Sequence, residues 1–175
     1  MVYKWMPVYT RLGFMLVQPT TSCCGVATIY NVLRWYGLRL TFDEIAHDTK
    51  SVRNDDGAMY MEGFLAALEF YGFTTNRFVD EEKLRLEMDA KNATPICVDA
   101  NVLLGRDETE TKQGNHIFLA TGRQDGYYRV YDTGSGDVAH REDQVHRAMI
   151  CAISLQYEPS VHCLSWDKRK NIDTW

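Results

Sequence analysis

The chain has 175 residues, 45% of them hydrophobic, with four prolines, twelve glycines and no repeat at solenoid spacing; this excludes a disordered or low-complexity protein and suits one domain spanning residues 1–175. Nineteen basic residues against 24 acidic ones leave a formal charge of −5 at pH 7, so the chain offers no cationic field to a phosphate backbone and no nucleic-acid partner is expected. No window of about eighteen apolar residues occurs, and Met1 to Phe14 carries Lys4 and Arg11 without an apolar run of signal-peptide length, so neither a membrane span nor an export signal is read.

Cys23, Cys24, Cys97, Cys151 and Cys163 are odd in number and irregularly spaced, which argues against a disulfide framework and suits a reducing compartment. Cytoplasm is the default location, with delivery into another cell by a signal-independent route as the other, and a monomer is the default state.

Helices come first in chain order. From Cys24 to Tyr36 the apolar residues Val26, Ile29, Tyr30, Leu33 and Tyr36 recur at three- and four-residue steps, one face of a helix that Gly37 ends. Thr41-Phe42-Asp43-Glu44 has the form of a capping box and opens a short second helix to about Asp48. Asn54-Asp55-Asp56-Gly57 is turn chemistry, and Met61, Phe64, Leu65, Leu68 and Tyr71 mark a third helix stopped by Gly72. Asp80 caps a charged segment with Leu84 and Leu86 that ends near Asn92.

The period then falls to two. Strands are expected at Ile96–Ala100, His116–Gly122, Tyr127–Tyr131 and Met149–Tyr157, with Gln124-Asp125-Gly126 turning a hairpin. The fold class is α+β, helices packed on one side of an antiparallel sheet. The polar stretch Leu104–Gln113 reads as a long loop near the site. The final stretch, His162 to Trp175 with Trp166 and Lys168-Arg169-Lys170, fits either an added strand or a partner-binding segment.

Cys24 stands where that first helix begins. Unpaired amides and the positive end of the helix dipole favour thiolate there, so its pKa should fall. His116 opens an apolar strand and Asp132 ends the next one, so the two can lie side by side, the carboxylate accepting from one ring nitrogen while the other faces the thiol. Gln18, six residues before Cys24, can join the Cys24 amide in stabilising an oxyanion, a contribution of about 3 kcal/mol per donor. A helix starting one residue earlier would make Cys23 the nucleophile; Gly25 and the apolar stripe directly after Cys24 favour Cys24.

These residues carry a family resemblance. Gln18 through Gly37, Gln-Pro-Thr-Thr-Ser-Cys-Cys-Gly-Val-Ala-Thr-Ile-Tyr-Asn-Val-Leu-Arg-Trp-Tyr-Gly, resembles the nucleophile segment of the bacteriocin-processing, double-glycine peptidases and their papain-like relatives. Asn115-His116-Ile117-Phe118-Leu119-Ala120-Thr121-Gly122 and Asp125-Gly126-Tyr127-Tyr128-Arg129-Val130-Tyr131-Asp132 are similar to that family's histidine strand, turn and aspartate strand. The resemblance covers about residues 18–157, leaving 158–175 as an extension of unknown role. It implies a papain-like fold with Cys24 as nucleophile, His116 as base, Asp132 as orienter and Gln18 as oxyanion donor. The sequence departs from many relatives at Cys23, before the nucleophile, and at Thr133, where a proline commonly follows the aspartate. No transporter portion is recognisable, so leader cleavage coupled to export is not implied.

His47, His140, His146 and His162 lie in polar surroundings and read as solvated or capping groups. No ligand spacing suggests zinc, the runs Asn54-Asp55-Asp56 and Asp107-Glu108-Thr109-Glu110 lack a calcium-loop pattern, and no cofactor is indicated. The chain therefore reads as a cysteine peptidase acting on a peptide or protein. The same triad would serve an acyltransferase, transglutaminase or amidase, and a non-catalytic binding module on the same fold is the second alternative.

Overall fold

The computed structural model describes residues 8–10, 13–16, 18–20, 22–106, 114–136 and 139–158. They divide into two compact units, one running to Thr75 and resuming at Leu155, the other Asn76–Ser154. Residues 107–113 of the expected loop, and Cys163, His162 and the rest of 159–175, lie outside the described residues. Among the described residues no helix is long and apolar enough to cross a membrane.

In the first unit, β1 (Val8–Thr10) and β2 (Gly13–Met15) form an antiparallel pair that leads toward α1 (Cys24–Trp35). The sequence pattern assigns α1 one apolar face, yet every residue from Gly25 to Leu33 is buried, Thr28 and Asn31 included, so this is a helix enclosed on all sides. Gly25 is part of the reason. A Cβ there would lie 3.2 Å from Met59 Cβ, so a side chain at this position would force the neighbouring segment away.

The capping box forms as read: the Glu44 amide donates to Thr41 Oγ1 at 3.2 Å and the Thr41 amide donates to Glu44 Oε2 at 2.8 Å, starting α2 (Phe42–Asp48). A 3-10 turn, Lys50–Val52, leads on toward α3 (Met61–Phe70), which buries Phe64, Ala67 and Leu68. Tyr71 donates to Asp48 Oδ2 at 2.8 Å, tying the end of α3 to the end of α2. Tyr36, Phe73 and Tyr157 close the unit as an aromatic cluster with ring centroids 4.9 to 5.7 Å apart.

The second unit is built on a sheet. Its strands are β3 (Phe73–Phe78), β4 (Thr94–Asp99), β5 (Asn115–Gln124), β6 (Tyr127–Tyr131), β7 (Ala139–Arg141) and β8 (Met149–Tyr157), in spatial order β3-β8-β4-β5-β6-β7, with β3 and β8 each running from one unit into the other. The β4–β5, β4–β8, β5–β6 and β6–β7 pairs are antiparallel. At the β5–β6 hairpin Asp125 and Gly126 have φ of 54° and 80°, the positive values that a two-residue primed turn requires at both central positions. The core follows the period of two on β4, β5 and β6: Ile96 and Val98, Phe118 and Ala120, and Tyr128 and Val130 point to one face.

Three helices cover that face. α4 (Glu81–Asp89), capped by Asp80 accepting from the Lys83 amide, contributes Leu84 and Met88; α5 (Ala100–Leu103) contributes Leu103; α6 (Glu142–Ala148) contributes Val145 and Ala148. On β4 and β8, Cys97 and Cys151 are register partners and both are buried free thiols. A hydrogen bond from Cys97 is the main cause pulling the Cys151 thiol down to about 7.

The order of helices first and strands later needs correcting. β3 precedes α4, and α5 and α6 interleave with the strands. Phe73-Thr74-Thr75-Asn76-Arg77-Phe78 carries apolar residues only at its ends, so it gives little hydrophobic alternation; among the described residues it is an end strand of the sheet, flanked by β8. β7 is three residues long and α6 has no side-chain cap, too little pattern for either to register.

Candidate active site

Local contacts hold the segment around Cys24. Asn31, buried in α1, accepts at Oδ1 from the Leu16 amide at 3.1 Å and so pins the chain two residues before Gln18. Ser22 donates to the Asp56 carbonyl at 2.7 Å, fastening the turn before α1 to the Asn54-Asp55-Asp56-Gly57 loop. Cys23 is the N-cap residue without a capping side-chain bond, and its Sγ lies 2.8 Å from Thr20 Oγ1. Cys24 is therefore the first residue of the helix. It is half-buried, and the first turn carries no acidic side chain to oppose a thiolate. Gln18 is 3% exposed, buried in the stretch that leads to the helix.

Three adjacent strands assemble the second group. His116 is near the start of β5, Asp132 follows the last residue of β6, and His140 is the middle residue of β7. His116 Nε2 lies 2.7 Å from Asp132 Oδ1, and His140 Nε2 lies 2.8 Å from Asp132 Oδ2. The Gly134 and Ser135 amides donate to Oδ1 at 2.9 and 3.2 Å, as the Asp132-Thr133-Gly134-Ser135-Gly136 turn folds back on its own side chain. Phe118 stands beside both imidazoles, its ring centroid 6.1 Å from that of His116 and 5.4 Å from that of His140.

Asp132 is 3% exposed. Burial opposes its ionisation, but the hydrogen bonds from His116 and His140, with the charges of the two rings, outweigh it and hold the carboxyl well below the usual carboxylate range. An ionised carboxylate only accepts, so each facing Nε2 carries a proton. Nδ1 of His116 is then the ring nitrogen that does not face Asp132. Gly134 makes the close approach possible: a Cβ there would sit 3.0 Å from His116 Cε1 and 3.4 Å from Asp132 Oδ1.

Of the residues singled out in the sequence, the structure joins His116 to Asp132 directly, and it sets Gln18 and Cys24 within the other unit. His140 belongs with the first pair. Its reading as a solvated or capping group is corrected, since it is 8% exposed and bonded to Asp132. The only sequence trace of this is parity: Tyr128, Val130 and Asp132 share a sheet face, and His140 is the register partner of Tyr128. His146 is corrected as well. It is half-buried, with Nε2 2.6 Å from Tyr128 Oη and Nδ1 3.2 Å from Glu81 Oε2 and 3.3 Å from Arg85 Nη2, and burial followed by the charge of Glu142 pushes the Tyr128 phenol up. His47 is exposed, as read. Among the described residues no group of three or more His, Cys, Asp or Glu side chains is arranged to hold a metal ion.

No family model matches the sequence, and no curated protein matches it. Solved structures do. A double glycine motif protease from an AMS/PCAT transporter, in complex with the leader peptide, superposes with a TM-score of 0.62 at 19% identity, over 82% of this chain and 90% of that one. The peptidase domain of Streptococcus ComA, a bi-functional ABC transporter involved in a quorum sensing pathway, gives 0.65 at 18% identity, over 81% and 96%. The same domain of Streptococcus mutans ComA, in complex with a small molecule inhibitor, gives 0.55 at 19% identity, over 88% and 99%. With its helices, its antiparallel sheet and these neighbours, the chain has the fold of the double-glycine, papain-like peptidase domains.

Proposed function

We propose that the chain is a cysteine peptidase that hydrolyses a peptide or protein substrate through Cys24, His116 and Asp132, with Gln18 as oxyanion donor. The observation that carries this reading is the 2.7 Å bond from His116 Nε2 to a buried, ionised Asp132, on a fold shared with peptidase domains. The position of Cys24 at the start of a twelve-residue helix supports the thiolate. The leader peptide held by one of the similar structures supports a peptide as substrate.

In this mechanism Cys24 Sγ attacks the scissile carbonyl carbon, and the carbonyl electron pair moves to oxygen, where the Gln18 side-chain amide and the Cys24 backbone amide donate to it. His116 Nδ1–H gives its proton to the amide nitrogen as the C–N bond breaks, leaving a thioester. Water then loses a proton to Nδ1 and attacks the thioester, the acid departs, and Cys24 returns to thiolate. Asp132 keeps Nε2 protonated throughout and stabilises the imidazolium.

Alkylation tests the nucleophile. Iodoacetamide near pH 6, mapped by mass spectrometry, should label Cys24 about tenfold or more faster than Cys23. Cys23 is the right comparator because it is half-buried like Cys24, whereas Cys97 and Cys151 are buried and would differ through access alone. Equal rates at the two neighbours would count against a thiolate nucleophile. Incubation with a peptide library, with and without a primary amine, tests the reaction: cleaved peptides are expected, and amine adducts without cleavage would replace hydrolysis by acyl transfer.

A further inference from the structure

We propose that His140 is a positioning residue of this site: by holding Oδ2 of Asp132 it keeps Oδ1 on His116 Nε2, so that one aspartate bridges two imidazoles. This rests on the reading of His116 as the base. The carboxylate torsion of an aspartate is broad and nearly two-fold, so a single hydrogen bond to His116 leaves the group free to swing. The Gly134 and Ser135 amides restrain it from one side only, because both come from the turn that follows Asp132 and both reach the same oxygen, Oδ1. Oδ2 is restrained by a different strand, through His140 Nε2 at 2.8 Å.

The surroundings suit that task. His140 is itself buried, beside the Phe118 ring on β5 and in register with Tyr128 on β6. Its backbone is thus tied to the strand that ends at Asp132, while its ring packs near the aromatic residue that also flanks His116. Without the imidazole, Oδ2 would be a buried anionic oxygen lacking a donor, which favours rotation of the carboxylate or its protonation. Either outcome loosens the acceptor at His116 Nε2. The His116 ring would then populate both neutral tautomers, and in one of them the proton sits on Nδ1, where the base must be bare to accept one.

Imidazole nitrogen spectra of the full-length chain, labelled with nitrogen-15 at histidine, test this directly at a pH alkaline enough that the His116 imidazolium has lost its Nδ1 proton. Signals of His116 and His140 are assigned by comparison with His116→Gln and His140→Gln. In the wild type both rings should appear as the Nε2–H tautomer. His140→Ala should turn His116 into a tautomer mixture and lower kcat about tenfold to a hundredfold with KM within about twofold, the size of loss that a misplaced reacting group gives. His140→Gln, whose side-chain amide can donate from near the place of Nε2, should keep His116 as Nε2–H and return kcat to within about fivefold of wild type. A wild-type His140 found as the Nδ1–H tautomer would overturn the proposal, as would a folded His140→Ala protein with His116 wholly Nε2–H, or equal impairment of the two variants. Should His140→Ala fail to fold, the wild-type tautomer of His140 decides alone. If the wild type neither cleaves peptides nor shows fast alkylation of Cys24, the peptidase reading fails, while the tautomer of His116 still decides what His140 does.

Discussion

The segment around Cys24 in one unit and the cluster around Asp132 in the other are built in opposite ways. Gln18, Cys24 and the Asn31 that pins their segment lie within fourteen residues of one another, and Cys24 is the first residue of a single helix. His116, Asp132 and His140 come from three strands, and only the pairing of those strands brings them together. Each side also has a glycine that permits a close approach, Gly25 against Met59 and Gly134 against His116. The first approach is a packing contact and the second touches the imidazole bonded to Asp132. A thiol can therefore be prepared by local structure, whereas a base with a fixed tautomer needs long-range register.

Substitutions separate the two sides, beginning with the largest effect. Cys24→Ala should cut turnover at least about 10⁴-fold while circular dichroism shows a folded chain, and Cys23→Ala should stay within about twofold of wild type; the reverse outcome would mean that the neighbouring sulfur is the nucleophile. Gly134→Ala comes next. Its new Cβ would have to displace the His116 ring by a few tenths of an ångström, so kcat should fall about tenfold to a hundredfold with little change in melting temperature. Gly25→Ala should show the opposite balance, losing about 1 kcal/mol of stability as overpacking against Met59 exceeds the helix-propensity gain. A large loss of stability with Gly134→Ala and none with Gly25→Ala would erase the contrast.

Acid titration gives a smaller and more specific effect. Asp132 is held below its unfolded value, so its contribution to stability is present above about pH 4 and is lost as the pH falls from there toward its folded pKa. The gap in urea midpoint between wild type and Asp132→Asn should thus narrow from pH 5 to pH 3; a gap that widens would mean that the carboxyl is not stabilised as an anion. The smallest effect should be Thr41→Ala, which removes the capping box of α2 at a cost of about 1 kcal/mol without altering kcat.

Legibility in the sequence followed the same divide. The starts of α2 and α4 were readable because a cap acts within four residues of itself, as Thr41 with Glu44 and Asp80 with Lys83 show, whereas α1, whose N-cap makes no side-chain bond, was readable from its apolar steps. The β5–β6 hairpin was readable because Asp125-Gly126 is one of the few pairs that accept two positive φ values. Having that hairpin put His116 and Asp132 at neighbouring strand ends. β7 was invisible, with three residues and no apolar alternation, and His140 was lost with it. His146 was misread for a related reason: the phenol it bonds is eighteen residues away, on β6.

β7 has a dynamic consequence. It is the last strand of the sheet, three residues long, paired only to β6 among the described strands, and it carries the group that holds Asp132 Oδ2. Short end strands are the segments that open most readily while the rest of a domain stays folded. Brief detachment of Ala139–Arg141 would release one oxygen of the aspartate without exposing the core packed under Phe118 and Val130. In hydrogen exchange the β7 amides should then exchange well ahead of those of β5, making the strand a breaking point at which the site could come apart before the fold does.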